Sequence, residues 1–362
     1  MRRSRKFEIT VIRILASILS ALIIFTAGCS DTARITIQDS NTPKINTCAG
    51  MIEYLRKQNL PTLKSVEVWQ NQYGDGLVIT TEHYEVYTTL LEPLMLSQVP
   101  GFLESAYNGY QDQLPEPIET TTKFTVYVFA DRQQWDDFTK TFVGSQAPLY
   151  LKIKAGAYYL NGACVAYNIG RERTFSVLGH EGWHQFNSRH FRFRLPSWLD
   201  EGIAMLFEAS RYERGLFYFE PDKNMSRLGS LRKTLLNNRM IPVKELISIN
   251  PGEAIMASDD TVTAFYGQSY AMVRFLREEG YGKRLNNYHR LLLGGLEGNW
   301  PISETNKRIA MNRNIPLTIG WNRTVGTELF KLYISDNFDQ IEQEYTAFCR
   351  KIVYHVRLKD GG

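Results

Sequence analysis

The stretch Thr174-Phe175-Ser176-Val177-Leu178-Gly179-His180-Glu181-Gly182-Trp183-His184-Gln185-Phe186 decides how the rest of this chain is read. Residues four apart on a helix share one face, about 6 Å apart along the axis, so His180 and His184 can converge on one ion. Neutral imidazoles ligate Zn²⁺, and a catalytic site adds a third protein ligand and an open position. Glu181, one residue round from His180, is placed to take a proton from water activated there. The chain has only six histidines in 362 residues, so this spacing is a specific signal; the plainer alternative is a solvated helix face. Phe175, Val177, Leu178 and Phe186 predict an amphipathic helix over about 173–189. Gly179 and Gly182 each oppose it by about 1 kcal/mol, which points to a neighbouring backbone or a substrate close by.

A second helix is predicted from Pro196 to Glu208, since proline's fixed φ suits a first turn and Trp198, Leu199, Ile203, Leu206 and Phe207 form an apolar face. The link His190–Arg194 is short, so this helix returns antiparallel to the first and brings Glu201 within reach of the same ion. Together the two segments, LGHEGWHQF (178–186) and LPSWLDEGIA (195–204), resemble the gluzincin branch of zinc metallopeptidases, in particular the bacterial peptidase MA-like domains. The resemblance is firm over about 172–208, weaker through about 76–280 and absent at both ends. It implies an α+β, zincin-like fold. In such a fold a small mixed sheet accompanies the active-site helix, and a mainly helical C-terminal part follows. It also implies Zn²⁺ as cofactor, His180, His184 and Glu201 as its ligands, Glu181 as general base and a peptide or protein as substrate.

Several gluzincins carry a carboxylate four residues after the ligand glutamate; here that place is Met205. Asp200 or Glu208 is the substitute partner for a ligand histidine's other nitrogen, although each taken singly reads more simply as a solvated helix carboxylate. His190 falls where the metzincin pattern puts a third histidine, but Asn187 replaces the preceding glycine, and His190 reads as a loop residue. Related peptidases stabilise an oxyanion with a Tyr or His from a later helix. By that likeness the donor is Tyr266, with Tyr270 as runner-up, although Tyr266, Tyr270 and Val273 also follow helical core spacing.

Residues 1–28 read as an export signal, with Arg2, Arg3, Arg5 and Lys6 before an apolar run from Ile14 to Ala27. Thr26-Ala27-Gly28-Cys29 looks like a lipobox, which implies a lipid on Cys29, an extracytoplasmic membrane-anchored protein and a tether over 29–45; simple export in soluble form is the alternative. The leader carries the whole +4 formal charge, so the remainder is near neutral and gives no support for nucleic-acid binding. Cys48, Cys164 and Cys349 allow at most one disulfide, in three possible pairings.

Residues 46–362 read as one domain, α/β to about 190 and helical beyond. The chain predicts a helix near 46–58, strands over Ser65–Gln70 and Leu77–Thr88, a helix over Pro93–Leu114, and a strand over Lys123–Phe129. A helix capped by Asp131 follows, then an Asn161-Gly162 hairpin over 155–167. One strand of that hairpin is either a peptide-holding edge or simply structural. Beyond the second ligand helix, helices are predicted at about 226–239, 243–248, 261–279 and 282–294, with shorter ones closing the fold. The competing functional reading is a metal-containing binding or scaffold lipoprotein without turnover.

Overall fold

In Phe124–Phe129, Phe124, Val126 and Val128 are buried while Thr125 and Tyr127 are half-buried, the period of two that a strand between two packed layers requires. This strand lies in the middle of a mixed six-stranded sheet. The computed structural model describes residues 47–154, 156–313 and 319–356; the leader, Cys29 and the tether lie outside them. A short helix, α1 (Cys48–Lys57), leads into β1 (Ser65–Val68), β2 (Leu77–Thr80) and β3 (Tyr84–Thr88), a meander of antiparallel strands. Helix α2 (Pro93–Gln111) crosses to β4 (Phe124–Phe129), parallel to β3, and α3 (Arg132–Val143) follows it. The hairpin of β5 (Ala157–Leu160) and β6 (Ala163–Tyr167) completes the order β1-β2-β3-β4-β6-β5, leaving β5 at the edge.

One face of the sheet packs on α2 and α4 (Arg171–His190) through Val86, Val126, Cys164 and Ala166. The other is covered by α3, with Trp135 and Phe138 against Phe129 and Val165. Next come α5 (Ser197–Ala204), the hairpin β7 (Ser210–Glu213) and β8 (Leu216–Phe219), and α6 (Met225–Leu236). The long α7 (Asp259–Gly282), α8 (Leu285–Glu297) and α9 (Phe338–Ile352) follow. Helix α7 is the axis of this part, and α5 lies so close to it that a Cβ on Gly202 would collide with the Ser269 carbonyl. The protein is thus mixed α+β, with a small sheet and a mainly helical C-terminal part.

One expected element needs correction, and two elements were not foreseen. The single strand over 77–88 is two, because Thr81 turns the chain: its N–H bonds the Tyr84 carbonyl (2.9 Å) and its Oγ1 accepts from Tyr84 N–H (3.0 Å). The segment after α5 begins with the β7–β8 hairpin, where Arg214 (φ 51°) and Gly215 (φ 87°) make a left-handed two-residue turn. A further helix, Pro251–Ala257, is closed by a reciprocal cap between Asn250 and Glu253. The chain leaves helical φ/ψ at Glu279–Tyr281, near the end of α7, before α8 begins, and Cys48, Cys164 and Cys349 are all free thiols. Among the described residues no helix is long and apolar enough to cross a membrane.

Candidate metal centre

Helix α4 holds both histidines on the side turned towards α5. The two glycines that weaken it as an isolated helix allow its packing: a Cβ on Gly179 would strike the Phe207 carbonyl, and one on Gly182 the Tyr110 hydroxyl. That hydroxyl donates to the Gly179 carbonyl (2.7 Å), pinning α4 to α2. The close neighbours are therefore a backbone carbonyl and a tyrosine.

His180 Nε2 and His184 Nε2 lie 3.3 Å apart. Glu201 Oε2 is 3.4 Å from the first and 3.9 Å from the second. Ligands about 2.0–2.1 Å from a tetrahedral Zn²⁺ stand about 3.3 Å from one another, so this triangle matches one face of such a site. Glu201 is buried, and its Oε2 has no hydrogen-bond partner among the described residues. A buried carboxylate oxygen aimed at two imidazole nitrogens suits a cation, and these three residues can hold a metal ion.

Each histidine has its own carboxylate on the other ring nitrogen. His180 Nδ1 lies 2.9 Å from Glu208 Oε1, and His184 Nδ1 lies 3.3 Å from Asp200 Oδ1. The reading of both acids as solvated is corrected here: the loop after α5 turns Glu208 inward, and Asp200 Oδ1 also accepts from Trp183 Nε1 and Asn187 Nδ2, both at 2.9 Å. Met205 is simply core. Burial disfavours the charged form of His180, but Glu201 and Glu208 outweigh it and carry its pKa up to about 10. Burial is likewise outweighed at His184, chiefly by Asp200, and its pKa rises to about 9. Burial pushes Glu208 up, yet Arg227 and His180 prevail and hold it at about 2.

Glu181 is buried beside this group, and its Oε1 has no hydrogen-bond partner among the described residues. Burial raises its pKa against the opposing charges of His180 and His184. A hydrogen bond from the backbone of Tyr159, on the edge strand β5, opposes that rise too. Tyr266 comes from α7, buried, with the Arg227 guanidinium 5.3 Å from its ring centroid. Burial drives its phenol pKa well up, and the Glu201 charge adds to that. Tyr270 is engaged elsewhere: its hydroxyl donates to the Pro221 carbonyl and accepts from Arg274 Nη1 (3.0 Å). His190 is the last residue of α4 and not a loop residue; its Nε2 meets Thr120 Oγ1 (3.0 Å), and it is not one of the three grouped ligands.

Sequence reasoning missed Asn224 and Arg227. Asn224 Nδ2 donates to Glu208 Oε2 (2.9 Å), and Arg227 donates to both Glu208 oxygens. The available signal was Asn224 as a cap three residues before Arg227, but a cap says nothing of what its side chain meets across the fold. No family model matches this chain, and no curated protein matches it.

Proposed function

We propose that the chain is a zinc-dependent peptide or amide hydrolase of gluzincin type with a zincin-like fold, exported and anchored to a bacterial membrane through Cys29. The observation that carries this reading is the triangle of His180 Nε2, His184 Nε2 and Glu201 Oε2, with the Glu181 carboxyl beside it. Zinc bound by these three ligands supplies Lewis acidity towards a carbonyl and acidifies water. Glu181 takes the proton released by the attacking water and hands it to the leaving amine; a raised carboxyl pKa suits a group that must also give the proton up. The Tyr266 hydroxyl donates to the developing oxyanion, a contribution on the order of 3 kcal/mol. β5 is the edge strand of the sheet among the described residues, and the main-chain groups of that edge not taken by Glu181 are offered to an extended peptide.

Zinc content and peptide hydrolysis of the full chain test this reading. Wild type is expected to hold about one zinc, lost in His184→Ala and in Glu201→Ala. Glu181→Gln is expected to keep the metal and lose about 10²-fold or more in rate. A well-folded wild type that takes up no zinc ends the proposal, and equal rates in wild type and Glu181→Gln end the base assignment. One observation favours the reading without turnover: His180, Glu181, Glu201 and Tyr266 are all at most 4 % exposed, which leaves a substrate little entry. Zinc retention with no cleavage across a broad peptide library would decide for that second reading.

A further inference from the structure

Arg227 is the one cation within reach of both Glu208 and Tyr266 among the described contacts, and it is almost fully buried. It stands in the first turn of α6, where its own N–H is capped by Asn224 Oδ1 (3.2 Å). Its Nε donates to Glu208 Oε2 (2.8 Å) and its Nη2 to Oε1 (2.6 Å), a two-pronged grip that a planar guanidinium makes and an ammonium cannot. Asn224 Nδ2 takes a further site on Oε2, and His180 Nδ1 a further site on Oε1. All the acceptor positions of that carboxylate are thereby used, and it cannot turn. Against an acceptor-only oxygen Nδ1 must be the donor, so the proton that a metal ion displaces is the one on Nε2, the atom beside Glu201 and His184.

The central carbon of the same guanidinium lies over the Tyr266 ring, 5.3 Å from its centroid. Resting on the metal-site reading above, we propose that Arg227 is a positioning residue. Through Glu208 it fixes the ring of His180 and which nitrogen keeps its proton, and by its charge over the ring it ties the tyrosine of α7 to that same residue. It touches neither metal nor substrate. A lysine at 227 would keep the charge but lose both the fork and the stacking surface.

The test uses the full-length chain loaded with zinc or with cobalt, reading zinc affinity by chelator competition and ligand geometry from the cobalt visible spectrum. Arg227→Lys is expected to unfold cooperatively like wild type, to bind zinc about 10–100-fold more weakly and to shift the cobalt bands. Tyr266→Phe keeps the ring and is expected to leave the spectrum unmoved, whereas Tyr266→Leu removes the ring and shifts it. The double variant Glu208→Gln/Arg227→Met removes both charges of the pair at once while keeping an acceptor for His180, so it decides the matter if Arg227→Lys does not fold; it too is expected to lose at least tenfold in affinity. Zinc affinity within twofold of wild type and an unchanged cobalt spectrum in whichever of these folds would overturn the role of Arg227 while leaving the metal site standing. A folded wild type that binds neither metal would overturn both.

Discussion

The two histidines of α4 sit four residues apart and face the same point, yet they are braced in opposite ways. His180 is wholly buried, and its carboxylate, Glu208, is held by the charged fork of Arg227. His184 is 12 % exposed at its side chain, and its carboxylate, Asp200, is itself partly exposed and takes its other hydrogen bonds from the neutral donors of Trp183 and Asn187, with the Arg313 charge acting on it from outside hydrogen-bond contact. The first brace is ionic and sealed, the second neutral and partly wet. A sealed ion pair contributes little net stability when intact, because desolvation offsets attraction, but it costs heavily when one partner is removed.

The largest expected effect follows from that asymmetry. Glu208→Ala strands the buried Arg227 guanidinium and should destabilise the protein by about 3–5 kcal/mol in denaturant unfolding. Asp200→Ala leaves the neutral donors of Trp183 and Asn187 and a His184 that can release its extra proton beside solvent, and should cost about 1–2 kcal/mol. Equal losses would break the comparison. Next in size is Gly179→Ala, whose new methyl meets the fixed Phe207 carbonyl one residue before His180; about 1–3 kcal/mol is expected, with weaker metal uptake as α4 shifts.

The smallest effect comes from the third histidine of the helix, His190, which meets Thr120 and has no carboxylate partner among the described residues. Burial, helped by the nearby Arg189 charge, lowers its pKa to about 4, opposite to the rise at His180 and His184. A neutral imidazole in the folded state and a protonatable one in the unfolded state give stability that is complete above the ordinary value of 6.5 and lost as pH falls towards 4. His190→Gln should flatten the stability profile in that window. An unchanged slope would mean that His190 is solvated.

Much of the site was legible because its information is local. The i, i+4 spacing of His180 and His184, the proline start of α5 and the short link between the helices place three ligand atoms without knowledge of the rest. The Asn161-Gly162 turn and the Asp131 cap were legible for the same reason. What was missed depends on contacts between distant segments. Nothing local separates a solvated Glu208 from one gripped by Arg227, since a carboxylate's surroundings are decided by how α6 docks. The β7–β8 hairpin carried its own signal, aromatic residues around Arg214-Gly215, but it lies between two predicted helices in a stretch to which no element was assigned. Its inner face, Phe217 and Phe219 against Phe102, ties α2 to the helical part.

The link between α4 and α5 has a kinetic consequence. The ligand triad, Glu181, both bracing carboxylates, Asn224 and Arg227 all fall between positions 180 and 227; only Tyr266 arrives from farther along the chain. The entropy lost in closing a loop grows slowly with its length, but short closures come first, and contacts between chain neighbours form faster than pairings of distant strands. The expected order of assembly therefore starts with α4 and α5, ahead of the β1–β3 meander and the docking of α7. An ion present at that stage would act as a template, committing the chain to this helix pair before α7 and its Tyr266 have docked.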